Sequence, residues 1–295
     1  MNPHIKRNTM AESIKNITSS KVTVTIDGQD IEVPMGTTIL DAATQLGIDI
    51  PTLCAHPDLE AAGLCRICVV EVEGWRTLQA SCAFPITQPM KVHTHTRKVR
   101  QARRQILELL LSKHYGDCYT CNRNGNCELR TLAMEYGVDS LPFGAPKEPA
   151  FVVDNSSYSI VRDMNKCILC RRCVRTCMAL QDVGCLTVAN RSNQSFVTTF
   201  MDKPLGGAVC INCGQCVNRC PTGALQAVDQ TDEIWAAIDD PQKHVVIQTA
   251  PAPRAAIGEC FGVEPGHAFT FEMNTALREC GFDGVFDTNF TADLT

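Results

Sequence analysis

The chain is poor in aromatic side chains: they make up 6% of its 295 residues, and only two are Trp. No apolar run is long enough to span a bilayer, which needs about 20 such residues. Residues 1–20 (MNPHIKRNTMAESIKNITSS) lack the apolar core of a secretory signal and read as a polar tail. No G-x-G-x-x-G fingerprint or other flavin or nicotinamide site is evident, so hydride handling falls to other chains. The net charge of −5 argues against a general nucleic-acid binder. Cysteine, by contrast, is abundant, with 18 residues. Without a signal segment, a secreted disulfide framework is not their natural use. The thiols point instead to reduced metal ligands in a cytoplasm.

Two runs dominate the pattern. Cys167, Cys170, Cys173 and Cys177 follow C-x2-C-x2-C-x3-C, and Cys210, Cys213, Cys216 and Cys220 repeat it, with Pro221 after the last. In two-cluster ferredoxins the fourth Cys of each run ligates the cluster of the other. The expected ligand sets are therefore Cys167, Cys170, Cys173 and Cys220 for one [4Fe-4S] cluster, and Cys177, Cys210, Cys213 and Cys216 for a second. Met178 stands where Pro usually follows the first run. Zinc also takes four thiolates, but its sites usually show two C-x2-C pairs.

Upstream, Val22, Val24 and Ile26 alternate with polar residues, Asp27-Gly28 makes a turn, and Ile31 and Val33 complete a hairpin. Thr38 and Asp41 resemble a capping box for a helix carrying Ile39, Ala42, Ala43 and Leu46, with Gly47 as its stop. Strand, strand, helix opens a β-grasp fold. Cys54, Cys65, Cys68 and Cys82 follow, with Val69, Val70, Val72 and Leu78 forming a hairpin before the last. Residues 97–114 read as a helix with Ile106, Leu109 and Leu110 on its apolar face. Its basic run of Arg97, Lys98, Arg100, Arg103 and Arg104 reads as a solvated face. His114, Cys118, Cys121 and Cys127 come next in H-x3-C-x2-C-x5-C, with Gly116 and Gly125 allowing tight turns. Residues 128–136 read as helical, and Pro142, Pro146 and Pro149 mark a linker. His4, His56, His93, His95, His244 and His267 lack such context and read as structural.

Both upstream arrays resemble those of [FeFe]-hydrogenases and of the large iron–sulfur subunit of respiratory complex I. The resemblance implies a [2Fe-2S] cluster on Cys54, Cys65, Cys68 and Cys82, and a [4Fe-4S] cluster on His114, Cys118, Cys121 and Cys127. Farther on, HVVIQTA (244–250) reads as a buried strand, 254–261 and 267–280 as helices, and Val285-Phe286 as a short strand. VVIQTAPAPRAAIGECFGVEPG resembles the start of the [FeFe]-hydrogenase catalytic domain. The adjacent Cys pair of that family's T-S-C-C-P-like motif does not occur here. Cys185, Cys260 and Cys280 remain outside all motifs, the last two on expected helices, where a buried free Cys is an ordinary apolar residue.

The implied fold class is α+β multidomain. A polar tail (1–20) precedes a β-grasp [2Fe-2S] domain (21–96), a His-ligated [4Fe-4S] domain with linker (97–155) and a two-[4Fe-4S] ferredoxin domain (156–232). A truncated α/β hydrogenase-like remnant (233–295) follows, expected to pack on the ferredoxin insert or on a partner. By resemblance to Stn-type transhydrogenases, the chain is an electron-wire subunit without an H-cluster. The implied partners are a flavoprotein binding FMN and NAD(P), a thioredoxin-like [2Fe-2S] subunit and soluble ferredoxin. The alternatives are the amino-terminal part of a complete [FeFe]-hydrogenase, and a redox-inactive zinc scaffold.

Overall fold

The computed structural model describes residues 20–294; the tail expected over 1–20, including His4, lies almost wholly outside them. The described residues divide into two compact units, ending and starting at Val228 and Asp229. Among them, no helix is long and apolar enough to cross a membrane.

The first unit opens with strands β1 (Lys21–Ile26) and β2 (Gln29–Pro34), paired antiparallel from Lys21↔Pro34 to Ile26↔Gln29. Helix α1 (Ile39–Gln45) begins as the sequence predicts: Thr38 Oγ1 accepts from the Asp41 N–H at 3.1 Å and donates to Asp41 Oδ2 at 2.7 Å. Strands β3 (Val69–Val72), β4 (Gln79–Ala80) and β5 (Met90–His93) complete a five-stranded sheet of order β2-β1-β5-β3-β4. Only the β1–β5 pair is parallel. The inward residues Val22, Val24, Ile26, Val33, Val70, Val72 and Val92 pack on Ile39, Ala42 and Ala43 of α1. That alternation of buried and exposed positions is the period of two that fixes strand register.

Helix α2 (Arg97–Leu111) buries Val99, Arg103 and Leu107, spaced four apart along one face. Leu109, expected on the apolar face, is exposed. Arg103, expected in solvent, is fully buried: Nη2 donates to Val69 O and Nη1 to Tyr136 Oη, both at 2.9 Å. The helix rotation that seats Val99 and Leu107 carries position 103 inward, and the two acceptors make a guanidinium tolerable there. Helix α3 (Glu128–Glu135) follows, its first N–H donating to Pro221 O at 3.0 Å.

The rest of this unit is built from short pieces: β6 (Ile160–Arg162), α4 (Arg172–Arg175), β7 (Thr187–Ala189), β8 (Phe196–Thr198), α5 (Gln215–Asn218) and β9 (Leu225–Ala227). β6 pairs with β9 and β7 with β8, both antiparallel. One pairing thus brackets the whole double cysteine run, closing residues 160 and 227 upon each other. Arg172, nearly buried, clamps Glu128 at the start of α3 through two bonds of 2.7 and 2.9 Å.

The second unit contains α6 (Thr231–Ile238), β10 (Val246–Thr249), α7 (Pro251–Ala256), α8 (Thr270–Glu279), β11 (Gly284–Asp287) and α9 (Thr288–Asp293). β10 and β11 form a parallel pair, and Arg254 grips Asp287 at 2.8 and 2.9 Å. Pro251 starts α7 earlier than the expected residue 254, as Pro suits a first helical turn. β10 was expected to be buried, yet Val246 is exposed and only Thr249 is buried. A two-stranded sheet offers too little cover for a fully buried strand. Cys260 and Cys280, expected as buried helical thiols, are exposed: Cys260 lies in a 3-10 turn and Cys280 caps the end of α8, where side chains meet solvent.

Candidate iron–sulfur sites

Four arrays of sulfur and nitrogen donors are assembled in the first unit. In the first array, Cys54, Cys65, Cys68 and Cys82 are all buried beside the sheet. The Cys65 N–H points at Cys54 Sγ at 3.5 Å. Hydrogen bonds from the Cys65 and then the Cys82 thiol hold the Cys54 thiol far below its ordinary pKa. Cys82 does the same, less strongly, for Cys68, bringing it to about 6.

The second array lines one recess: His114, Cys118, Cys121 and Cys127, with Lys166 and Gly223 in its wall. His114 lies just past the end of α2, its N–H donating to Leu111 O at 3.1 Å. Burial, then Lys166, lowers its pKa and keeps the ring neutral. Its Nδ1 is buried without a hydrogen-bond partner. A neutral ring with a free buried nitrogen suits a metal ligand. Cys127 stands at the N-cap of α3 in extended conformation, and burial raises its thiol pKa. Gly223 comes so close that a Cβ there would lie 3.0 Å from Cys121 Sγ.

The double run supplies the other two arrays. Cys220 stands with Cys167, Cys170 and Cys173, close enough for their charges to interact. Cys177 lines one cavity with Cys210, Cys213 and Cys216. The backbone of the two runs repeats residue by residue. Leu169 and Arg171 have φ of 55° and 57°; the matching Asn212 and Gly214 have 56° and 71°. Leu169 N–H donates to Cys167 Sγ and Asn212 N–H to Cys210 Sγ, both at 3.4 Å. Left-handed non-glycine residues cost roughly 1–3 kcal/mol each and persist where a site demands them. Here each left-handed turn swings the next N–H and thiol toward a common centre. Burial pushes the thiols of Cys170 and Cys216 up to about 12 and that of Cys167 to about 11. Ionising them so deep inside the protein requires compensating positive charge, which iron provides. Three closely spaced thiols in one run and a fourth from the other, with N–H groups aimed at sulfur, suit iron–sulfur clusters.

The arrays adjoin. Cys54 and Cys65 share one apolar core with Cys170, and Cys127 packs at its edge. Arg175, between Cys173 and Cys177, donates to the carbonyls of Cys54 and Glu60. Arg123 donates to Cys220 O at 3.3 Å, and Cys216 lies within the field of Cys173. Among the other histidines, His93 pairs with Glu73 at 2.9 Å and His244 with Asp283 at 3.5 Å.

Three residues of these sites escaped the sequence reading. Cys185 lines the cavity of Cys177, Cys210, Cys213 and Cys216. Arg175 and Gly223 bridge arrays. Only Gly223, in the C-P-T-G turn after the second run, carries a local signal.

A fold of this kind, with sulfur arrays set side by side, defines an iron–sulfur electron-transfer protein. Family models match in the same order: a 2Fe-2S iron–sulfur cluster binding domain over residues 19–97, and the NADH-ubiquinone oxidoreductase-G iron–sulfur binding region over 103–142. The ferredoxin-like domain of NADH-quinone oxidoreductase subunit 3 matches 157–226, and the C-terminal domain of the iron-only hydrogenase large subunit matches 243–295. A solved chain of an NAD+-reducing [NiFe]-hydrogenase aligns at 33% identity with a TM-score of 0.65, over 70% of this chain and 88% of that one. Subunit HndD of the NADP-reducing hydrogenase of Solidesulfovibrio fructosivorans is 50% identical over 94% of this chain and 48% of its own length. Iron hydrogenase 1 of Clostridium pasteurianum is 36% identical over 92% and 48%. The chain belongs to the iron–sulfur electron-transfer subunits of multisubunit oxidoreductases, a family that these hydrogenase and NADH-quinone oxidoreductase chains share. It spans about half or less of the curated relatives it matches.

Proposed function

We propose that the chain is the electron wire of a flavin-based NADH/NADPH/ferredoxin oxidoreductase. It carries one [2Fe-2S] cluster on Cys54, Cys65, Cys68 and Cys82 and three [4Fe-4S] clusters. These are held by His114, Cys118, Cys121 and Cys127; by Cys167, Cys170, Cys173 and Cys220; and by Cys177, Cys210, Cys213 and Cys216. The sheet order, with its parallel β1–β5 pair beneath α1, supports a β-grasp frame for the first. The clusters supply one-electron redox chemistry when bound. The protein fixes their spacing, excludes water and aims N–H groups at their sulfurs. Neutral His114 in place of a thiolate removes one negative charge, which raises the potential of its cluster.

The observation that carries the proposal is adjacency. The Cys167 array touches the Cys54 array through the shared apolar core, the His114 array through Arg123 and Gly223, and the Cys177 array through Cys173 and Cys216. An electron arriving at any one of them has a neighbour to reach. The donors and acceptors at the ends are a partner flavoprotein with FMN and NAD(P), a thioredoxin-like [2Fe-2S] subunit, and soluble ferredoxin. Anaerobically purified protein is expected to hold about fourteen iron atoms and as many as four separable EPR signals. Iron near half that value in fully loaded protein refutes the assignment.

A second reading is favoured by the hydrogenase-domain match over 243–295 and by the exposed apolar Val246, Phe271, Phe286 and Phe290 in that unit. In it, the same wire feeds a hydrogen-activating site built by further chain. Hydrogen evolution from the complex with a reduced viologen donor, after maturation by hydrogenase assembly factors, decides between them.

A further inference from the structure

The cavity holding Cys177, Cys210, Cys213 and Cys216 contains a fifth thiol. Cys185 is buried in its wall, in the same apolar cluster that packs against Cys177, Cys210 and Cys216. Its backbone N–H donates to Cys177 Sγ at 3.2 Å, and its thiol shares the cavity wall with Cys210. A second polar group faces the same problem: Thr176 lines this cavity, is fully buried, and its Oγ1 has no hydrogen-bond partner. A buried hydroxyl left unpaired costs about 1–3 kcal/mol, so the cavity is shaped for a polar occupant with acceptor atoms.

We propose that Cys185 is a positioning residue of the second ferredoxin cluster: its N–H holds the sulfur of Cys177, its S–H donates to a ligating sulfur of the same cavity when the cluster is bound, and the thiol so sets that cluster's potential above what the four thiolates alone give. This rests on the reading that Cys177, Cys210, Cys213 and Cys216 hold a cluster. The reasoning is electrostatic. A donor aimed at a ligating sulfur stabilises the extra negative charge of the reduced cluster, and hydrogen bonds to sulfur are among the factors that set cluster potentials. The N–H bond survives any side-chain substitution, so a variant isolates the thiol's share.

The test uses the full chain, reconstituted anaerobically, in redox-titrated EPR. Cys185→Ala is expected to retain full iron and to lower the midpoint of one [4Fe-4S] signal, shifting its reduced-to-oxidised ratio about tenfold, or about 59 mV for one electron. Cys185→Val, which refills the volume without a donor, gives the same fall and carries the test if the alanine variant does not load. Cys185→Ser returns the midpoint toward wild type. Midpoints for Ala and Val equal to wild type, or a serine midpoint no nearer wild type than alanine, overturn the proposal. Cys213→Ser tests the underlying reading separately: if it leaves iron content and every EPR signal unchanged, the cavity holds no cluster.

Discussion

A methyl group added at Gly223 should single out one cluster among four. The Cβ of Gly223→Ala would stand 3.0 Å from Cys121 Sγ, 3.1 Å from Gln226 Nε2 and 3.2 Å from Lys166 Cδ. The last two belong to long side chains that can swing away. Cys121 cannot, if its sulfur is fixed to iron. Overpacking of this kind costs about 1–3 kcal/mol, and about 2–4 °C of melting temperature accompanies each kcal/mol in a domain near this size. The holoprotein variant should therefore melt several degrees lower under anaerobic conditions and lose or broaden the EPR signal of the His114 cluster alone. In apoprotein the thiol is free to rotate, and the deficit should shrink. Gly207→Ala is the control, since nothing lies within 4 Å of its Cβ and its backbone is not left-handed. Equal iron content, spectra and melting for the two variants would refute a rigid sulfur at Cys121.

Other outcomes follow from the same geometry. His114→Cys should keep a cluster but lower its potential, because the added thiolate stabilises the oxidised state; His93→Cys, at a surface pair with Glu73, should leave every signal alone. Arg103→Leu strands the Val69 carbonyl and should destabilise the fold by about 1–3 kcal/mol, read from denaturant unfolding of the apoprotein, whereas Arg97→Leu at an exposed position of α2 should be nearly silent. A thiol reagent applied to the holoprotein should label the exposed Cys260 and Cys280 promptly, and Cys185 only after iron is chelated; early labelling of Cys185 would mean that its cavity opens to solvent.

Much of this organisation could be read from the sequence because it is local. A thiol spacing of two or three residues reports a turn, and the repeated left-handed pairs at Leu169–Arg171 and Asn212–Gly214 are what such spacing requires. The Thr38 cap and the alternating valines of β1 are equally local signals. What stayed hidden depends on rotation and long-range approach. Arg103 sits four residues from both Val99 and Leu107, so the buried stripe was visible in principle, but charge outweighed periodicity in the reading. Cys185 has no partner at motif spacing; only the fold carries it to Cys177 and Cys210. The exposure of Cys260 and Cys280 reflects where their helices end, which composition does not reveal.

Arg175 gives the array a consequence for its own biogenesis. On the proposed ligand sets, its neighbours Cys173 and Cys177 serve different clusters, while its guanidinium holds the carbonyls of Cys54 and Glu60. One turn of helix is thus tied to three metal centres at once. Inserting the ferredoxin clusters would stiffen the seat from which that turn braces the Cys54 loop. Maturation should accordingly run as a concerted event: an iron-starved cell should accumulate empty and full chains, with few half-loaded forms between them.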